Sequence, residues 1–173
     1  MNPPALDLPA LLPKLWRFAL RLTRHREDAQ DLVQRTCLRA LERCHQWNPD
    51  TPALPWVYTI LHSIWLNELD ARRLRAPGNA DADDLQQWLE SAVADPHASL
   101  HYRQVIGAVE ALPAPQRVVM LLVAVEGFSY REASDVLGVP VGTVMSRLSR
   151  ARLAIGERFA QRPSKENTHA ARS

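Results

Sequence analysis

The sequence predicts an all-α chain, built as two small helical bundles joined by an acidic linker. Three observations carry that expectation. Apolar residues recur at three- and four-residue steps in one segment after another, the periodicity of a helix with one buried stripe. The 13 prolines fall mostly between those segments, where they suit helix starts. Glycine is scarce, at 6 of 173 residues. At that length a two-bundle split leaves each core small and only moderately stable.

The first helix follows from Leu11, Leu15, Ala19 and Leu22, with Lys14, Arg17, Arg21 and Arg24 on another face. After a break around His25, Ala29, Leu32, Val33, Cys37, Ala40, Leu41 and Cys44 predict a second. Glu27, Asp28 and Asp31 crowd its first turns, where they complement the helix dipole. A proline-containing loop spans Gln46 to Leu54. Pro55 suits the first turn of a third helix, with Val57, Ile60, Leu61, Ile64 and Leu69 as its stripe and Pro77-Gly78 as its stop. A fourth short element fits in this bundle. The predicted limits are 8–77 for the first module, 78–98 for the linker and 99–163 for the second module. Within the linker, Leu85, Trp88, Leu89 and Val93 are spaced for one short helix.

Charge is segregated. The net charge is only +2, but every ionised residue from Lys14 to Arg26 is positive. Arg72, Arg73 and Arg75 form a second basic block, and Arg147, Arg150, Arg152, Arg158, Arg162 and Lys165 a third. Pro77 to Leu100 holds five acids and no Lys or Arg. Solvated helix faces explain any single block. Three blocks around an acidic stretch point to a polyanion partner.

No segment reaches the roughly 18 uninterrupted apolar residues of a membrane span, and the N-terminus lacks a signal-peptide layout. A cytoplasmic protein without membrane insertion is expected. Cys37 and Cys44, spaced i, i+7, lack a zinc-site pattern and are expected as small buried hydrophobes. No paired carboxylates, nucleophile–base set or phosphate-cradling loop stands out, so neither an enzyme nor a cofactor is expected.

The second module is the more informative. Val105, Ile106, Val109 and Leu112 predict one helix, closed by Pro113. Pro115 opens the next, with Val118, Val119, Leu121, Leu122 and Val125 buried and Gly127 at its end. Ser129 and Glu132 then stand at capping-box spacing, with Phe128 placed as a hydrophobic staple. Ala133, Val136 and Leu137 line a short helix, Gly138-Val139-Pro140 is a tight turn, and Val141, Val144, Met145 and Leu148 form the inner face of a final helix. Thr143, Ser146, Arg147 and Arg150 are left pointing outward. Two short helices, a glycine turn and a hydroxyl- and Arg-bearing outer face make a helix-turn-helix. Its second helix suits the major groove: Arg147 for a guanine edge, Ser146 and Thr143 for bases or phosphates, Arg150 and Arg152 for the backbone.

The stretches Leu112–Arg117, Glu126–Ala133 and Leu137–Arg152, above all Gly142-Thr143-Val144-Met145-Ser146-Arg147-Leu148-Ser149-Arg150-Ala151-Arg152, resemble region 4 of extracytoplasmic-function (ECF) sigma factors. Glu27–Gln34, Thr36 and Leu38–Leu41 resemble region 2.2 of the same family. Trp56–Leu61, Asn67 and Asp70–Arg73 resemble regions 2.3 and 2.4. The resemblance implies a promoter-specificity subunit that binds core RNA polymerase through Asp28, Asp31 and Gln34. It implies reading of the −35 element by Thr143, Ser146, Arg147, Arg150 and Arg152. Trp56, Tyr58, Asn67, Arg72 and Arg73 would recognise and melt the −10 element, with the Gln46–Leu54 loop holding a flipped base. Core RNA polymerase, promoter DNA and an anti-sigma factor are the implied partners. The sequence departs from the family at Cys37, Arg35 and Ser63, where Phe, an acid and Asn are common. A stand-alone helix-turn-helix regulator and a sigma-mimicking interaction protein are the competing readings.

Overall fold

The computed structural model describes residues 6–75 and 100–160, apart from the side chains of Arg73, Arg75 and Leu100. The linker with its short-helix expectation, Ser99, and the residues after 160 lie outside the described part. Among the described residues there are seven α-helices and no strand: α1 (Leu8–Thr23), α2 (Arg26–Glu42), α3 (Ala53–Arg75), α4 (Leu100–Glu110), α5 (Ala114–Met120), α6 (Tyr130–Leu137) and α7 (Val141–Ala160). A 3-10 turn, Cys44–Gln46, is the fourth short element of the first module. The chain of α5 widens into a π-helical stretch, Leu121–Val125. No described helix is long and apolar enough to cross a membrane.

Local chemistry accounts for the boundaries. Asp7 caps α1, its Oδ1 accepting from Ala10 N at 3.2 Å. Arg24 ends the helix with φ at 66°, its N–H returning to Leu20 O. Thr23 Oγ1 donates to Ala19 O at 2.9 Å across the same corner. The capping box forms in full: Glu132 N donates to Ser129 Oγ at 3.2 Å, and Ser129 N donates to Glu132 Oε2 at 2.8 Å. Gly138 takes φ of 63°, the left-handed turn the sequence asked of it.

α2 packs on both α1 and α3, and α7 packs on both α5 and α6. The two modules do not keep separate cores. α6 packs on α3 and α5 touches α1, so the buried apolar residues form one continuous cluster from Leu8 to Ala151. Phe128 lies against Tyr58 of α3 at 5.6 Å between ring centroids, and Tyr58 in turn against Phe18 of α1 at 4.5 Å. The two small bundles thus share one core. Sharing one core offsets the poor surface-to-volume ratio of a three-helix bundle.

Two apolar positions assigned to the buried stripe of α2 are corrected. Leu41 is 58% exposed and Cys44 is exposed in the 3-10 turn, so the helix buries only Ala29, Leu32, Val33, Thr36 and Ala40. Met145 of α7 is likewise exposed, off the side on which the helix buries Val144, Leu148 and Ala151.

Candidate nucleic-acid interface

The outer face of α7 is coherent. At 100° per residue, Thr143, Ser146, Arg147 and Arg150 occupy an arc of about 100°. Val144, Leu148 and Ala151, all buried, hold that arc outward. Ser146 and Arg150 are exposed, while Thr143 and Arg147 are half-buried. Ser146 Oγ donates to Thr143 O at 3.1 Å, which orders the hydroxyl in the first turn. Arg152 does not share the arc: it lies about 140° from Arg147. It borders a shallow depression of about 400 Å³ with Tyr130, Met145, Leu148, Ser149 and Leu153.

α3 scatters its predicted set. Trp56 and Asn67, eleven residues apart, differ by only about 20° around the helix. Trp56 is half-buried and Asn67 exposed. Tyr58 points the opposite way and is fully buried between Phe18 and Phe128. In this arrangement it cannot meet a nucleic acid, a correction forced by the inward phase of its position. Its buried hydroxyl faces the Glu126 carboxylate. Burial, with the Glu126 carboxylate nearby, raises its pKa. Arg72 is also redirected: Nη2 pairs with Asp28 Oδ2 at 2.8 Å and Glu68 Oε1 at 3.0 Å, tying the end of α3 to the start of α2. Arg73 lies at the end of α3, its side chain outside the described part. Thr59 and Ser63, exposed on the Trp56–Asn67 face, were not singled out as site residues. The signal was present in the spacing 56, 59, 63, 67. In the loop before α3, Asn48 Oδ1 accepts from Asp50 N at 3.0 Å, and Thr51 Oγ1 donates to Asn48 O at 2.7 Å. Trp65 is a core residue, 6% exposed and 5.9 Å from the His62 ring.

On α2 the polar strip is divided. Asp28 is taken by Arg72, and Asp31 pairs with Arg35, which also reaches Glu68 at 3.1 Å. Gln34 is exposed. Beside it stand Leu38 and Leu41, 60% and 58% exposed. Asp31, Gln34, Leu38 and Leu41 lie within an arc of about 80°. The two leucines are the apolar part of this face that the sequence reading passed over, although the spacing 34, 38, 41 placed them there.

Comparison with known proteins assigns the class. The family Sigma-70 region 2 matches residues 10–75, and Sigma-70, region 4 matches residues 102–155. The ECF RNA polymerase sigma factor EcfG of Rhodopseudomonas palustris is 34% identical over 84% of this chain and 79% of that protein. SigL of Mycobacterium tuberculosis, also an ECF sigma factor, is 32% identical over 78% of this chain and 76% of its own length. The sigma factor RpoE of Bartonella quintana, solved with the anti-sigma factor NepR, superposes with a TM-score of 0.71 at 26% identity, covering 91% of this chain and 96% of that one. A helix-turn-helix behind a second helical module, in this order, is the architecture of a sigma factor. The chain belongs to the ECF sigma factors of the sigma-70 family, the promoter-specificity subunits of transcription initiation.

Proposed function

We propose that α7 reads the −35 element through Thr143, Ser146, Arg147 and Arg150, with Arg152 at most a peripheral phosphate contact. The outer face of α3, Trp56, Thr59, Ser63 and Asn67, recognises and opens the −10 element. The observation that carries the reading is the α7 arc: a hydroxyl-and-Arg surface held outward by three buried residues behind a capped helix and a glycine turn. Arg gives bidentate recognition of guanine. On α3 an indole and short polar groups offer stacking and hydrogen bonds to unpaired bases.

Core RNA polymerase docks on α2 through Asp31 and Gln34, with Leu38 and Leu41 as apolar anchors; Asp28 acts indirectly, by holding Arg72. The functional modules are 8–77 and 99–163, joined by the acidic segment 78–98. The likeness to a sigma factor solved with NepR supports an anti-sigma factor as the regulator, and the family's role supports a place in the cytoplasm. Run-off transcription with core polymerase tests the assignment. Arg147→Glu is expected to abolish specific initiation while leaving polymerase binding intact, and Leu38→Asp to abolish polymerase binding. If Arg147→Glu initiates normally, α7 is not the reader. A stand-alone regulator would give a tight duplex footprint unchanged by core polymerase.

A further inference from the structure

α7 presents more than polar groups to the outside. Met145, near the start of the helix, is 52% exposed. Around the axis, Met145 lies about 40° from Ser149, Ser149 about 60° from Ser146, and Ser146 about 40° from Arg150. All four are exposed, and together they form one surface of about 140° opposite the buried Val144, Leu148 and Ala151. Arg147, half-buried, stands past the Arg150 edge of that surface. Met145 forms the other edge. It also walls the shallow depression of about 400 Å³, together with Tyr130 of α6 and Ser149 and Arg152 of α7.

In a helix-turn-helix the N-terminal residues of the second helix are the ones that meet base edges. Met145 belongs to that part of α7, one position before Ser146. Its thioether is flexible and polarisable, and it offers a duplex only a weak acceptor. Any polar atom it covers on a base edge loses water without gaining a partner. Among the groups that base pairs present in the major groove, the C5-methyl of thymine is apolar, and an apolar side chain can cover it without that penalty. Around the depression, the hydroxyls of Tyr130 and Ser149 and the Arg152 guanidinium carry donors for neighbouring phosphates, contacts that position a duplex without reading its sequence.

We propose that Met145 is a specificity-determining residue of the reading helix: it selects a thymine in the −35 element by packing on its methyl group, beside the base pair that Ser146 meets. The proposal rests on α7 being the duplex reader. Met145 favours thymine by covering its methyl and disfavours the other bases by stranding their polar edges. A Lys or Arg at this position would add attraction to phosphate or guanine, whereas Met adds discrimination without charge.

The test uses the full chain with core RNA polymerase. A promoter library randomised across the −35 region, transcribed and sequenced, defines the preferred element. Each thymine of that element, on either strand, is then replaced singly by deoxyuridine, which deletes the methyl and keeps every hydrogen-bonding group. At one thymine the replacement is expected to lower run-off transcription about fourfold at subsaturating holoenzyme, the scale of one buried methyl group. With Met145→Ala the same replacement is expected to have no effect, whereas Met145→Leu, still apolar, keeps the sensitivity. Met145→Lys, selected on the same library, is expected to change the preference at that position from thymine to guanine. An element without thymine, or one whose thymines all tolerate deoxyuridine, overturns the proposal. So does Met145→Ala with the parent's sensitivity intact. No preference anywhere in the −35 library means that α7 is not the reader; a clear preference indifferent to methyl groups sinks only the role given to Met145. Thermal melting accompanies each variant, and should Met145→Ala melt early, Met145→Gln, polar and of equal length, replaces it.

Discussion

α7 and α3 carry the two halves of promoter reading, and they are built differently. α7 is a surface helix with three buried residues on one side and its polar residues gathered on the other. α3 is a central helix that meets α2 on one side and α6 on another, and it buries Val57, Tyr58, Ile60, Leu61, His62, Ile64 and Trp65. A helix enclosed on two sides has only a narrow arc left for ligand. Residue type alone therefore identifies the reader on α7, whose polar residues share one face. On α3 the phase of the position decides.

The sharpest way to break this contrast is to compare charge reversal on one helix with truncation on the other. Arg147→Glu should lower initiation by about a hundredfold or more, since a good bidentate base contact is worth about 1–3 kcal/mol and the new charge repels phosphate. Run-off transcription with thermal melting as a control checks this, and a lowered melting point would point to the fold instead. Tyr58→Ala should cost about 3–5 kcal/mol of stability by emptying the space between Phe18 and Phe128. Trp56→Ala, on the open face, should cost far less stability but weaken −10 opening, by about 1–3 kcal/mol if one base stacks there. Denaturant titration paired with permanganate footprinting separates them; equal destabilisation would erase the distinction between the inner and outer faces of α3.

Glu110 extends the comparison to the boundary between modules. It is 3% exposed on α4, and burial pushes its pKa up to about 8 from an ordinary 4.5, against the opposing pull of Arg21, Arg117 and Arg24. Across that window the folded chain keeps a proton that the unfolded chain has released, so stability falls as pH rises from 4.5 to about 8. His62 acts in the opposite sense. Burial, with Arg147 nearby, pushes it down to about 4 from 6.5, so its contribution rises with pH between those values. Glu110→Gln should flatten the decline toward pH 8 and leave the acid side unchanged, as read from denaturant midpoints across the range. The smallest expected effect is that of Ser129→Ala, about 1 kcal/mol from losing the α6 cap, visible in thermal melting. Because that cap is exposed, no unpaired buried group should add to the loss.

Much of the protein is legible from one dimension. The capping box of Ser129 and Glu132, the left-handed Gly138 and the stripes of α1 and α3 are local, set by chain stiffness, caps and helical period. The α7 reading arc is local too, since four residues within eight positions of one helix need no distant partner to share a face. What the sequence could not decide was which side of a helix another element would cover. Leu41 and Cys44 continue an apolar period yet remain outside, because α1 and α3 cover only one flank of α2. Tyr58 looks like a nucleic-acid platform yet is enclosed by Phe128, seventy positions away. Arg72 looks like a phosphate ligand yet is neutralised by Asp28 from another helix. The merging of two cores into one through Arg117 and Leu22 belongs to the same category. Periodicity states how a helix divides its residues, whereas burial and pairing depend on what long-range packing brings against each side, and only the tertiary structure settles that.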